Sequence, residues 1–175
     1  MASESGGDIT ASRLISRRLT LEPLRLDHAD QLVPLLNDVC LHRFIGGTPP
    51  TPEELRARLE RQVGGRSPDG NEVWLNWVAR KRPGGEVVGT MQATICPEQG
   101  SLVAVVAWTI GTAHQGQGLA TEAADLMASW LRQQGIPRLR AHIHPRHAAS
   151  MAVAAAIGLQ PADTMVSGER RWEWG

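Results

Sequence analysis

The period of apolar positions changes several times along this chain, and each change marks the boundary of an element. From Arg18 to Leu24, Leu19 and Leu21 alternate with polar residues, which predicts a strand. The spacing then lengthens to helical. Leu32, Leu35, Leu36 and Val39 share one face after Asp27, a candidate cap, and Pro34 fits only in the first turns or as a kink. After the loop at Gly46–Pro50, Thr51, Pro52, Glu53 and Glu54 place Thr at an N-cap, Pro at the first helical position and Glu at the third. Leu55, Leu59 and Val63 give that second helix a narrow apolar stripe, with Arg56, Arg58, Glu60 and Arg61 on its charged surface. Alternation returns around Trp74, Trp77 and Val78, then in Val87–Ile95 beyond Pro83-Gly84-Gly85. It resumes in Leu102–Ile110, so three antiparallel strands are expected in succession.

From Ala120 the pattern is helical again. Ala120, Ala123, Ala124, Met127, Trp130 and Leu131 make one stripe, Glu122 and Asp125 sit near its start, and Gly135 and Pro137 end it. Leu139, Ala141 and Ile143 alternate with Arg140, His142 and His144 in a further strand. Ala148–Ile157 reads as a short helix closed by Gly158, and Arg170–Trp174 as a last strand. The expected order is β-α-α-β-β-β-α-β-α-β, an α+β single domain with a mixed, mostly antiparallel sheet flanked by helices.

Candidate chemistry concentrates between the Leu102 strand and the Ala120 helix, in Gln115-Gly116-Gln117-Gly118-Leu119-Ala120. A helix start carries several N–H groups without intrahelical acceptors, and small residues let an anion approach them. The turn is therefore a candidate phosphate cradle. It is not a P-loop, because Gln117 and Gly118 stand where Lys and Ser/Thr belong. A dinucleotide fingerprint lacks its third glycine at Thr121, and Arg138 and Arg140 stand where an acidic ribose ligand should follow.

The pattern Gln115-x-x-Gly118-x-Ala120, following a strand and opening a helix, resembles the acetyl-CoA signature of the GCN5-related N-acetyltransferase (GNAT) family. His144 to Ser150, and then Ile157-Gly158-Leu159, look like the next segment of its ribosomal-protein N-terminal acetyltransferase branch, which usually reads Asn-x-x-Ser, a helix, then Gly and an apolar residue. The likeness is specific from about Val88 to Leu159. It implies acetyl-CoA as cosubstrate, with pyrophosphate on the backbone of Gln115, Gly116, Gln117, Gly118, Leu119, Ala120 and Thr121, and pantetheine paired with Trp108, Thr109 and Ile110 in a splay between the Leu102 and Leu139 strands.

The same likeness implies transfer to a primary amine by direct attack in a ternary complex, the acceptor being a protein N-terminus or a small amine. The family often protonates the leaving thiolate with a Tyr after the fifth strand, and this chain has none. Ser150 matches the branch's serine and becomes the candidate proton donor, although a Ser in a first helical turn also bonds backbone locally. His147 replaces the branch's Asn, as a pantetheine contact or as a helix cap. For the base, Glu98, Asp163, Glu169 and Glu173 are available, and the branch likeness selects Glu169. The alternative from another class is a non-catalytic acyl-CoA-binding or sensing module, which the missing Tyr and the His147 departure favour.

Composition narrows the setting. Eighteen basic residues balance eighteen acidic ones, so no global field draws the chain to nucleic acid or to an anionic membrane. Cys40 and Cys96 lack metal or disulfide spacing, which points to a reduced cytoplasm, and no apolar run reaches membrane length. Met1–Ser12 lacks a signal-peptide pattern and reads as a loose tail before a domain at 13–175. His142, His144 and His147 without a local acid do not make a metal site, so none is expected. Oligomeric state is left open by the sequence.

Overall fold

The computed structural model describes residues 8–174. Eight strands form one sheet: β1 (Leu14–Ile15), β2 (Leu19–Pro23), β3 (Val73–Lys81), β4 (Val87–Glu98), β5 (Ser101–Ile110), β6 (Arg138–Ile143), β7 (Gln160–Val166) and β8 (Glu169–Trp174), in the spatial order β1-β2-β3-β4-β5-β6-β8-β7. The helices are α1 (Ala29–Leu36), α2 (His42–Ile45), α3 (Pro52–Val63), α4 (Leu119–Gln133) and α5 (Ala148–Ala156). Every strand pair is antiparallel except β5 with β6.

That one parallel pair shapes the site. Only Val103, Ala104 and Val105 pair with Arg138, Leu139 and Arg140. On its other edge β5 stays paired with β4 as far as Ile110. From Val106 to Ile110 the β6-facing edge of β5 thus has no strand beside it, which is the splay that the family likeness implied. Gly89 lets β4 hug this stretch, since a Cβ there would stand 2.1 Å from the Thr109 carbonyl oxygen.

Two apolar clusters fix which face is which. Leu75, Trp77, Met91, Ala93, Val106 and Leu139 point to α4, where Ala123, Ala124, Met127 and Leu131 complete the main core with Val153 and Ile157 of α5. The opposite face packs Val78 against Ala29, Leu32, Leu36, Leu55 and Leu59 of α1 and α3. Of those two helices, α3 lies on β3 and α1 on β4, with Leu35 of α1 beside Gly111. On the same face farther along the sheet, Ala107 is exposed and Thr109 and Gln92 are half-buried.

Three elements go beyond the expected order: β1, α2 and β7. The Gln160–Val166 strand was hidden by Pro161 and Asp163, poor strand residues that an edge strand tolerates where its pairing with β8 slips between Pro161 and Met165. The first helix is shorter than its apolar spacing suggested, beginning at Ala29 and ending at Leu36, and Asp27 pairs with Arg25 instead of capping it. Of the expected loose tail, residues 1–7 lie outside the described residues. Ile9 and Ala11 pack on the core, and the Ser12 carbonyl accepts a 2.8 Å bond from the Trp77 indole.

Candidate active site

The loop after β5 is built to leave a helix start bare. Gln115 folds back, its side-chain amide donating to the Ile110 carbonyl at 2.9 Å and its backbone N–H to Thr112 at 3.4 Å, so it is spent on the turn and not on a ligand. Gly116 and Gly118 then take left-handed conformations, with φ of 73° and 75°. Gly118 is the N-cap of α4 and has no side chain to close it. Among the described residues, no acceptor takes the N–H groups of Gly116, Gln117, Gly118, Leu119, Ala120 or Thr121; the first N–H of the helix to find one is Glu122, on Gly118.

Long-range contacts hold this cradle in place. Arg18 of the β1–β2 turn donates to the Gln117 carbonyl at 2.8 Å and to Glu122 at 2.6 Å, while Ser16 and the Arg18 N–H also bond Glu122. Burial raises the Glu122 pKa, but those bonds outweigh it, so the carboxyl sits below its ordinary value and stays ionised. With the Gln117 carbonyl tied back by Arg18, the amides are left as the turn's free polar groups. A doubly phosphorylated group fits such a cradle, each charge-assisted bond contributing about 1.5–3 kcal/mol where water is excluded.

The start of α5 is closed in the opposite way. His147 is its N-cap, and its Nδ1 accepts the Ser150 backbone N–H at 3.2 Å. An accepting Nδ1 leaves the ring proton on Nε2, which stands 3.3 Å from Ser150 Oγ and donates to it. Burial lowers the His147 pKa, which favours this neutral form. Phe44 of α2 stacks over the ring with centroids 4.3 Å apart, and also meets His144 at 5.6 Å. His147 therefore caps the helix, the second of the two roles the sequence left open, and both its ring nitrogens engage Ser150.

The candidate bases separate cleanly. Glu98 bonds Arg140 and Arg138, and the Arg140 bond above all holds its carboxyl at about 2. Glu173 is paired with Arg140 and Arg171. Both are structural. Asp163 lies exposed on the edge strand. Glu169 opens β8 opposite Val166, half-buried, and its charge acts on His142 of β6. From the sequence, Arg18 and Phe44 carry no functional role, and His142 is weighed only as a metal ligand. Arg18 and Phe44 act through contacts across about a hundred residues that no local spacing announces.

Among the described residues, no group of three or more His, Cys, Asp and Glu converges as a metal site, and no helix is long and apolar enough to cross a membrane.

A mixed sheet that opens beside β5 next to an uncapped, glycine-bearing helix start defines an acyl-CoA-binding fold. The chain belongs to the GNAT acetyltransferases: the family model described as "Acetyltransferase (GNAT) domain" matches residues 18–160. Enzymes of this family use acetyl-CoA, and this chain is an acetyl-CoA-dependent acetyltransferase. Solved structures agree in fold. A GNAT-family acetyltransferase from Bacillus anthracis superposes with TM-score 0.74 at 15% identity, over 93% of this chain and 96% of that one. RimL, a ribosomal-protein alpha-N-acetyltransferase in complex with coenzyme A, gives 0.77 at 17% identity, over 93% and 97%. MccE, a microcin self-immunity acetyltransferase in complex with acetyl-CoA and AMP, gives 0.74 at 14%, over 91% and 93%. No curated protein matches the chain in sequence.

Proposed function

We propose that this chain moves the acetyl group of acetyl-CoA to a primary amine by direct attack within a ternary complex. The observation that carries the reading is the pairing of two adjacent vacancies in backbone bonding: the six amides of Gly116–Thr121 and the β6-facing edge of β5 from Val106 to Ile110. The amides hold the pyrophosphate. Trp108 and the Ile110 N–H face that edge and offer their backbone to the pantetheine amides as a neighbouring strand would, whereas the Thr109 carbonyl lies against Gly89 of β4 and the Ile110 carbonyl is taken by Gln115. Holding both reactants on one sheet replaces a bimolecular encounter by a local one.

Ser150 serves the leaving group. Its oxygen accepts from His147 Nε2, so its own proton is free to point at the sulfur and stabilise the thiolate as charge develops there. Glu169, the carboxylate expected as base, lies half-buried at the start of β8, and its charge acts on His142. The acceptor is an exposed amine: a protein N-terminus, in line with RimL, or a small amine. Both cysteines are free, which suits a cytoplasmic enzyme.

The test is release of free thiol from acetyl-CoA in the presence of a panel of amine-bearing peptides and small amines, with mass detection of the acetylated product. Amine-dependent thiol release above hydrolysis supports transfer. Binding of acetyl-CoA without amine-dependent release from any member contradicts it.

A further inference from the structure

We propose that His142 is the catalytic base for the acceptor's ammonium, with Glu169 as a neighbouring carboxylate. The proposal rests on the ternary-complex reading above and adds to it the identity of the proton acceptor.

The argument starts from strand alternation. Leu139, Ala141 and Ile143 of β6 belong to the core against α4, so Arg138, Arg140 and His142 project from the other face. On β5, Ala104 and Val106 point to the core, so Val105 and Ala107 share the face of His142. The last pair before the splay is Val105 with Arg140. His142 is thus the first outward-facing residue of β6 past that pair, across the opening from Ala107. Neighbouring strands lie about 4.8 Å apart where they pair and farther apart once they diverge, so an imidazole on this rim overhangs the gap where the thioester is held. Ala107 is exposed and gives an acceptor room to enter.

The surroundings suit a neutral ring. Among the described residues, no hydrogen bond engages either ring nitrogen of His142, and neither is sealed from solvent. Arg171, its register partner on β8, and Arg140, two residues back on β6, are the cations facing it, while Glu169 is the acid; on this face β5 presents only uncharged side chains. Burial lowers the His142 pKa, Glu169 opposes that, and the two arginines add to it. The net shift is downward, so the ring is unprotonated at neutral pH and free to accept a proton. Arg140 and Arg171 are themselves paired with Glu173.

The proton balance is simple. His142 takes one proton from the acceptor ammonium; the amine lone pair forms the C–N bond; the C–S bond breaks with its electrons going to sulfur. The amine's second proton reaches sulfur by way of the Ser150 hydroxyl, and His142 returns the first to solvent.

Wild type, His142→Gln and Glu169→Gln are to be compared with two probes, a peptide amide bearing a free α-amine and methoxyamine, which is already neutral at pH 7. Acetyl-CoA affinity of each variant, expected unchanged, reports an intact fold. His142→Gln is expected to lower kcat for the peptide by about 100- to 10,000-fold and to remove the acid limb of its pH profile, with a much smaller loss for methoxyamine. Glu169→Gln is expected to move that limb, and the His142 ring titration followed by NMR, to lower pH, because the carboxylate favours the protonated ring. An acid limb and kcat unchanged in His142→Gln overturn the role of His142 alone. A ring titration unaffected by Glu169→Gln overturns the role of Glu169. A wild type that binds acetyl-CoA and acetylates neither probe contradicts the transfer reading itself.

Discussion

The starts of α4 and α5 border the same splay and are finished in opposite ways. At α4 the cap position is Gly118, which offers no side chain, and six N–H groups are left open. At α5 the cap is His147, which satisfies the Ser150 N–H and turns its second nitrogen to the Ser150 hydroxyl. Both have the positive end of a helix dipole. The difference lies in what each leaves unsatisfied: an array of backbone donors that suits a fixed, multiply charged group, against one oriented hydroxyl that suits charge appearing during a reaction. On the proposed reading the bare helix start binds and the capped one positions.

The largest expected effect comes from spoiling the bare start. Gly118 has φ of 75°, and a Cβ would meet only Arg18 Nη2 at an ordinary 3.5 Å, so backbone strain and not crowding makes glycine necessary. A β-branched residue in that conformation costs about 1–3 kcal/mol, enough to distort the turn. Gly118→Val is expected to weaken acetyl-CoA binding by about tenfold or more, measured by calorimetry, whereas Gly118→Asn, which tolerates the left-handed region, keeps most of the affinity. Equal affinities for the two variants would place the pyrophosphate elsewhere.

Next comes the capped start. Ser150→Ala removes a hydroxyl whose bond strengthens only as sulfur becomes anionic, so turnover should fall about tenfold while acetyl-CoA affinity is retained. A variant that loses affinity and keeps turnover would make Ser150 a binding residue, and the contrast between the two helices would fail.

The smallest effect is one of stability. His147 has its pKa lowered in the folded chain by burial, so as pH falls below the ordinary value near 6.5 the unfolded chain binds a proton that the folded one resists. The cap's contribution is therefore complete above that value and is lost progressively as pH falls through the folded pKa. His147→Asn keeps a cap, worth about 1 kcal/mol, without the titration. Thermal melts of the two proteins between pH 7.5 and 5 are expected to diverge in favour of Asn as pH drops; parallel melting curves would remove His147 from the cap. The α4 start, with no titrating cap, should contribute nothing over that range.

These differences bear on what a sequence can reveal. The strand, turn and helix from Ser101 to Gln133 were readable because their signals are local: alternation, two glycines, then a helical stripe. The use of Gly116 and Gly118 followed from the same stretch. His147 as a cap three residues before Ser150 is also local, although the notation of residue types alone left cap and cofactor contact open. The splay was not readable from alternation, since β5 and β6 each look like an ordinary strand and only their divergence after Val105 makes a site. Nor could spacing bring Arg18 to Gln117 or Phe44 to His147. His142 illustrates the boundary well. Its outward face was legible in the alternation of β6, but its place at the edge of an opening was not.

The central claim is that the open amides at the start of α4 hold acetyl-CoA. It is tested most directly by amide-resolved NMR of the isotopically labelled chain during a titration with CoA. The expected result is that the N–H signals of Gly116 to Thr121 move together and become protected from exchange, with smaller changes at Trp108 and Ile110 and little at the His147-capped start of α5. Saturable CoA binding that leaves the six amides of Gly116–Thr121 unshifted and unprotected would contradict it.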